Sequence, residues 1–353
     1  MSLSSPLQRV LWLAVLAAAV AMPVAEPTHA LSTHPPEVTE ASIKSTDKGF
    51  KWLMKAMNRD GGFGVDVGAQ SELGLTALVG LSMLSEGSTP REGEHARALR
   101  KIRSYVIKEV KNGGMRQLAQ MNSTQLQRKI GSEAHTFFAA LFLSQVIGLD
   151  DRFDDETVRK ALQRAVQEVV AAQQKDGSWG HGSWAPMLGT VMGWECLRGS
   201  HLAGFRVKAS SDKVSEKLVQ DMKAQMGKSR GWMHDLYKHA TGIRVLYSMG
   251  MEDEPIAKSA FEKVLKLVAT NQPFSNAGGE EYLAFHLITE TMLQAGGKKW
   301  EAWYPTVRDK IVKVQNADGS WTGHHCITSR TFCTAAAILT LQSPNRYLPI
   351  SQE

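Results

Sequence analysis

An all-α fold, a closed α/α toroid of six helical hairpins, is predicted by three features of this sequence. Gly-rich turns recur at six places. Before each turn lies a stretch with one apolar stripe at 3-and-4 spacing, and after each lies a stretch that is apolar nearly all round. One-sided helices belong at a surface and all-round apolar helices inside, so the alternation specifies an amphipathic outer ring around an apolar inner ring. An open solenoid would leave its terminal apolar helices uncovered and would call for polar capping repeats, and neither end of this chain carries one.

The first thirty residues read as an export signal. Arg9 supplies the positive start, residues 10–22 form an apolar run too short to span a bilayer, and Thr28-His29-Ala30 offers small residues for a peptidase cut after Ala30. An exported protein, periplasmic or extracellular, with no transmembrane anchor in the mature chain is the expectation. Residues 31–46, with Pro35-Pro36, read as a linker, residues 47–345 as the toroid and residues 346–353 as a tail.

The hairpin turns follow in order. They are Asp60-Gly61-Gly62-Phe63-Gly64, Asn112-Gly113-Gly114-Met115, Asp176-Gly177-Ser178-Trp179-Gly180, Arg230-Gly231-Trp232-Met233, Asn276-Ala277-Gly278-Gly279 and Asp318-Gly319-Ser320-Trp321. The third unit is the clearest. Residues 155–174 carry Val158, Ala161, Leu162, Ala165, Val166, Val169 and Val170 on one stripe, opposite Arg159, Lys160, Arg164 and Glu168. Residues 187–197 then hold a single charge, Glu195, as a helix buried on every side requires. The same contrast separates residues 98–111 from 135–147, and 307–315 from 331–341. Gly reaches backbone angles that a tight reversal needs, and the following Trp or Phe is placed to plug the end of a neighbouring hairpin.

Gln173-Gln174-Lys175-Asp176-Gly177-Ser178-Trp179 and Gln315-Asn316-Ala317-Asp318-Gly319-Ser320-Trp321 resemble the Q-x-x-D-G-S-W repeats of the terpenoid cyclase and protein prenyltransferase α/α-toroid superfamily, squalene-hopene cyclase included. The resemblance implies the toroid and an isoprenoid or other apolar ligand in a central cavity. Two departures stand against it: no Asp-x-Asp-Asp acid occurs, and His325-Cys326 reverses the Cys-His order of the zinc-binding lanthionine cyclases. Asp150-Asp151-Arg152-Phe153-Asp154 matches an aspartate-rich diphosphate motif. It falls just before the outer helix of the third unit, however, where Asp caps backbone N–H groups.

The formal charge of +6 is spread over 41 basic and 35 acidic residues, with no basic block or arginine-rich arm, so nucleic-acid binding is not predicted. Three cysteines, Cys196, Cys326 and Cys333, leave at least one thiol unpaired.

The best local cluster is His324-His325-Cys326, at the junction of the last turn and the last inner helix. Helix N-termini favour anions and lower a thiol's pKa. Zinc there would take His325 and Cys326 with a ligand from another hairpin, His286 or Glu281. The bland alternative is a polar loop and a buried Cys. Glu133 and His135 open the second inner helix, Glu280 and Glu281 the fifth, and Asp235 and His239 lie in the fourth. Inner-helix starts share one rim, so Glu133, His135, Glu281, His325 and Cys326 are the candidate catalytic groups around one mouth, against the alternative of capping and rim solvation.

Three functions fit. The first is an enzyme or binder of an apolar small molecule or peptide held in a central cavity. The second is a glycan-acting α/α-barrel enzyme, with two carboxylates about 5–10 Å apart in a groove. The third is a non-catalytic toroid that binds protein. Oligomeric state has no signature in the sequence.

Overall fold

Helix-forming stretches broken by glycine alternate along this chain six times over. A computed structural model describes residues 35–352, apart from 151, 180, 181, 226, 227 and 230 and the side chains of residues 152–154. The export signal, the second Asp of the aspartate-rich run and parts of the third and fourth turns lie outside the described residues. Helix α1 (Glu40–Ala56) leads to α2 (Leu73–Ser85), and α3 (Ala96–Lys111) passes through α4 (Gly114–Met121) and α5 (Gln125–Ile130) to α6 (Ala134–Val146). Next, α7 (Arg152–Ala172) leads to α8 (Pro186–Leu202), and α9 (Lys208–Ala224) to α10 (Trp232–Ser248). Finally, α11 (Pro255–Ala269) passes through α12 (Gln272–Ser275) to α13 (Gly279–Ala295), and α14 (Gly297–Lys313) leads to α15 (Arg330–Gln342). No strand occurs among the described residues, and no described helix is long and apolar enough to cross a membrane.

The inner ring closes. Helices α2, α6, α8, α10, α13 and α15 each pack on the next, and α15 packs back on α2. Every residue of α2 is buried, as is every residue of α15 from Thr331 to Leu341. The outer helices bury one stripe only, such as Val214, Leu218 and Met222 in α9. Each large apolar side chain buried this way contributes about 1.5–3 kcal/mol, so the ring is held chiefly by its own core.

The repeated turn is a joint between hairpins. The Gln315 amide donates to Gly319 O within its own turn and to Ser45 O on the next outer helix, both at 2.8 Å. Gln173 does the same with Gly177 O and Ser210 O, both at 3.0 Å. The Trp321 indole donates to Ile311 O at 2.8 Å, and its backbone N–H donates to Thr334 Oγ1 at 3.0 Å. Gly319, at φ +95°, is pressed so close to the next outer helix that a β-carbon would stand 2.5 Å from Lys48 O. Gly177 would meet Lys213 O at the same distance.

Two boundaries and the centre of the ring differ from the sequence reading. Helix α1 begins at Glu40, inside the stretch read as linker, because Thr39 and Ser42 form a reciprocal capping box. The C-terminal residues are not a free tail: Leu348 and Ile350 are buried, and Ile350 N donates to Gln145 Oε1 at 2.9 Å. The centre of the ring is filled. All six inner helices line its axis, through residues including Leu78, Phe138, Met192, Arg244, Leu283 and Leu339, and they leave a cavity of about 40 Å³. A pocket for a drug-sized ligand needs roughly 300–1,000 Å³, so among the described residues the axis holds no cavity of the size expected for an apolar ligand. Phe138, fully buried and edge-on to Phe332, is among the large side chains that take up that space.

Candidate functional site

All six inner helices start at the turn side of the ring, and one mouth opens there. Two segments cross it. Helix α5, started by the Thr124–Gln127 capping box, is tied to the last unit by the Gln125 amide, which donates to Thr328 Oγ1 at 2.9 Å. Its other end is held by Ala185 N, which donates to Lys129 O at 2.9 Å. Residues 323–329 form the second segment, joined to the start of α13 by Gly279 N donating to Ile327 O at 2.8 Å. That approach excludes a side chain at position 278, where a β-carbon would lie 2.6 Å from His325 O.

Between these segments six side chains converge. Glu280 and Glu281, in the first turn of α13, are fully buried. His325 lies between them, with Nδ1 3.2 Å from Glu280 Oε1 and Nε2 3.2 Å from Glu281 Oε2. Neither contact is aligned as a hydrogen bond, which leaves both ring nitrogens and Glu280 Oε1 buried without a hydrogen-bond partner. Lys129, on α5, pairs with Glu280 Oε1 at 3.1 Å and donates to Cys326 Sγ at 3.5 Å and to Tyr237 Oη at 3.3 Å. Only His325 and Cys326 of this group reach solvent.

Burial, and then the charge of Glu280, push the Glu281 carboxyl up to about 8, against the lowering effect of Tyr237, of the Gly278 N–H at 2.6 Å and of Lys129. The Cys326 thiol is raised to about 11 by burial and then by Glu280. Cys326 lies four residues ahead of Arg330, the first residue of α15, and its thiol is pushed up by burial and Glu280 where the sequence reading expected a helix terminus to lower it. Burial and Glu281 also push the Tyr237 phenol far up. A neutral acid, an ion pair and a protonated thiol can exchange protons with a bound ligand but do not form a thiolate nucleophile.

The structure brings together Glu281, His325 and Cys326 and separates the other candidates from them. His135 is a structural group: its Nδ1 accepts from Gly74 N at 3.0 Å and its Nε2 meets Thr124 Oγ1 at 2.9 Å. Glu133 points away from the mouth, into a side cleft it shares with Arg116 and Glu168. His286 lies deeper on the ring axis, beside Glu195, Arg244 and Glu290, and does not join His325 and Cys326 as a metal ligand. Among the described residues the group able to hold a metal is Glu280, His325 and Cys326, whose ligand atoms all lie within 4.8 Å of one another.

Other residues singled out from the sequence have structural partners. Arg330 bonds Asp318 and, at 3.2 Å, Ser320 Oγ, while Asp150 pairs with Arg103 on α3. All three cysteines are free. Lys129 and Tyr237 were not legible as site residues. The one signal for Lys129 is its place between Leu126 and Ile130 on the side of α5 that packs inward.

Fold and site together define a closed α/α toroid with paired carboxylates at one mouth. No family model and no curated protein matches this sequence. Among solved structures it is similar to the GH76A α-1,6-mannanase from Salegentibacter sp. HEL1_6, with 9% identity, a TM-score of 0.55, and 87% of this chain and 99% of that chain covered. A variant of that enzyme, inactivated at two consecutive aspartates and bound to an α-1,6-mannotetraose, matches with 9% identity, TM-score 0.55, and 86% and 98% coverage. A second inactive variant, bound to α-1,6-mannotriose, matches with 10% identity, TM-score 0.55, and 86% and 97% coverage. These likenesses show the fold. They also overturn the terpenoid cyclase and prenyltransferase resemblance, since these superposing toroids are mannanases and the ring axis leaves a cavity of only about 40 Å³ among the described residues.

Proposed function

We propose that this chain is a glycan-acting enzyme that uses Glu280 and Glu281 at the mouth of the toroid. The observation that carries the reading is the pair itself: two consecutive, fully buried carboxylates in the first turn of an inner helix. One of them, Glu281, is held protonated near neutrality, while the other is paired with Lys129. Carboxylates whose environments push them into different protonation states divide the work of acid and base. The solved toroids with this fold include one whose inactive variants lack two consecutive aspartates, which supports the same assignment here.

In this reading Glu281 is the acid. Its Oε2 accepts from Gly278 N at 2.6 Å, and Oε1, buried without a partner, is the oxygen left to carry the proton. A glycosidic oxygen drawn to Oε1 takes that proton as its bond to the sugar breaks, and Glu280 accepts a proton from the attacking water. The opening is narrow, since His325 is only 24% exposed. It fits a sugar at the end of a glycan better than the middle of one. Trp184, 61% exposed and held beside α5 by its N–H on Arg128 O at 3.1 Å, offers a flat apolar face to the next sugar. Export, read from the first thirty residues, belongs to the same proposal and is tested by N-terminal sequencing of the secreted protein.

The test is release of reducing sugar from α-mannans and manno-oligosaccharides, with single sugars expected as the first product. Glu281→Gln should lower kcat by about 10²–10⁴-fold. Wild-type activity should fall as pH rises through about 8, where the acid loses its proton. Unchanged activity in Glu281→Gln, or no turnover of any glycan in the panel, would overturn the reading.

A further inference from the structure

Glu280, His325 and Cys326 have more in common than one carboxylate of an acid–base pair needs. Each offers a different donor atom, oxygen, nitrogen and sulfur, and these lie within 4.8 Å of one another. Ligand atoms on a tetrahedral zinc ion stand roughly 3.4–3.6 Å apart, so rotations of about an ångström would gather them. We propose that Glu280, His325 and Cys326 form a binding site for a divalent zinc-class cation, with the fourth position open toward solvent.

The unsatisfied atoms are a second observation that points to a ligand. Both ring nitrogens of His325 and Oε1 of Glu280 are buried without a hydrogen-bond partner. Buried polar atoms are rarely left this way, and two of them, His325 Nδ1 and Glu280 Oε1, lie 3.2 Å apart beside the Cys326 thiol, with Glu280 Oε1 held by its ion pair to Lys129. The backbone at Cys326 supports the same conclusion, since it adopts φ +48°, the left-handed region that side chains other than glycine rarely occupy. Cys326 Sγ lies 3.5 Å from Lys129 Nζ, while the residue keeps partial contact with solvent.

The surroundings already have the form of a metal centre's outer shell. Nδ1 of His325 is the nitrogen on the Glu280 side, and Nε2 faces Glu281 Oε2 at 3.2 Å. A carboxylate behind the second ring nitrogen fixes the tautomer and orientation of a ligating histidine. Lys129 Nζ, 3.1 Å from Glu280 Oε1 and 3.5 Å from Cys326 Sγ, places a positive charge next to where the ion's would lie. Binding therefore moves Lys129 off Glu280 toward Glu281 and Tyr237. The Cys326 proton leaves to solvent, and a dication then meets two anionic ligands and one neutral one. A mixed oxygen, nitrogen and sulfur set suits zinc, and cobalt(II) reports on it spectroscopically.

This inference does not depend on the substrate being a glycan. The test is titration of the chelator-stripped mature protein with cobalt(II). One equivalent should bind with a thiolate-to-cobalt charge-transfer absorption, and zinc should displace it. The absorption should be absent from Cys326→Ser, intact in Cys333→Ala and His286→Ala, and shifted on the order of 100-fold to weaker binding in His325→Ala. Lys129→Met should bind more tightly than wild type. Circular dichroism of each variant shows that it is folded, and Cys326→Ser keeps the size of the side chain. No thiolate band in the wild type, or a band that survives in folded Cys326→Ser, would overturn the site. Either result leaves the mannoside assay untouched, and failure of that assay leaves the metal titration untouched.

Discussion

Single residues decide where the polar chemistry of this molecule lies. His135 and His325 both follow a Gly-rich turn and both meet an inner helix, yet they do opposite things. His135 is fully satisfied by Gly74 and Thr124, and burial pushes its pKa down to about 4. That shift makes a prediction about stability. Above pH 6.5 the ring is neutral both folded and unfolded. As pH falls from there toward 4, the unfolded chain binds a proton that the folded one refuses, and the fold loses on the order of 3 kcal/mol. Urea denaturation of wild type and His135→Gln across this range should show a shallower decline in the variant. Glu72, raised by burial to about 7, works with the opposite sign: its contribution is present below pH 4.5 and is lost as pH rises toward 7. Because His135 Nε2 lies 3.9 Å from Glu72 Oε2, the same measurement on Glu72→Gln separates the two contributions.

At the scale of elements, the turn motif and helix α5 have separate jobs. The Gln and Gly of each strong turn serve the joint to the next outer helix, through the Ser45 and Lys48 carbonyls at one turn and those of Ser210 and Lys213 at the other. Gly319→Ala should destabilise the protein by about 1–3 kcal/mol, through a strained positive φ and a clash with Lys48 O. Gln315→Ala should cost about 1–2 kcal/mol by leaving Ser45 O and Gly319 O without their donor. Thermal unfolding measures both. A motif that looks like a catalytic signature is thus an assembly device. Helix α5 had no place in the repeat pattern, which resolved one outer and one inner helix per unit. It is this insertion that carries Lys129 across the mouth and limits access to His325 and Cys326.

The described residues form a ring covered at both ends, and the two covers differ. At the turn side the covering segments carry polar groups, while at the other end Leu348 and Ile350 close the axis above Glu195, Arg244 and His286. Deleting residues 348–353 should lower stability by about 3–6 kcal/mol, the worth of two buried aliphatic side chains, and calorimetry of the truncated protein checks it. The ring itself was legible in the sequence, because hydrophobic periodicity and glycine placement are local properties and each of the six units repeats them. Half of the site was legible too. His325 and Cys326 are neighbours in the chain and break the pattern of the other turns, and Glu281 opens an inner helix in plain view. What the sequence could not separate was Glu133, His135 and Glu281, three groups at equivalent positions near helix starts. A rotation of about 100° per residue along a helix decides whether such a group faces the mouth, a neighbouring helix or a side cleft. Periodicity by itself determined the number of hairpins, their layers and the polar rim. Only the tertiary structure decided that the centre is filled, that Lys129 meets Glu280 and Tyr237, and that His286 lies too deep to join them. Those facts depend on contacts between residues up to about 200 positions apart, set by how the ring closes, and no local pattern encodes them.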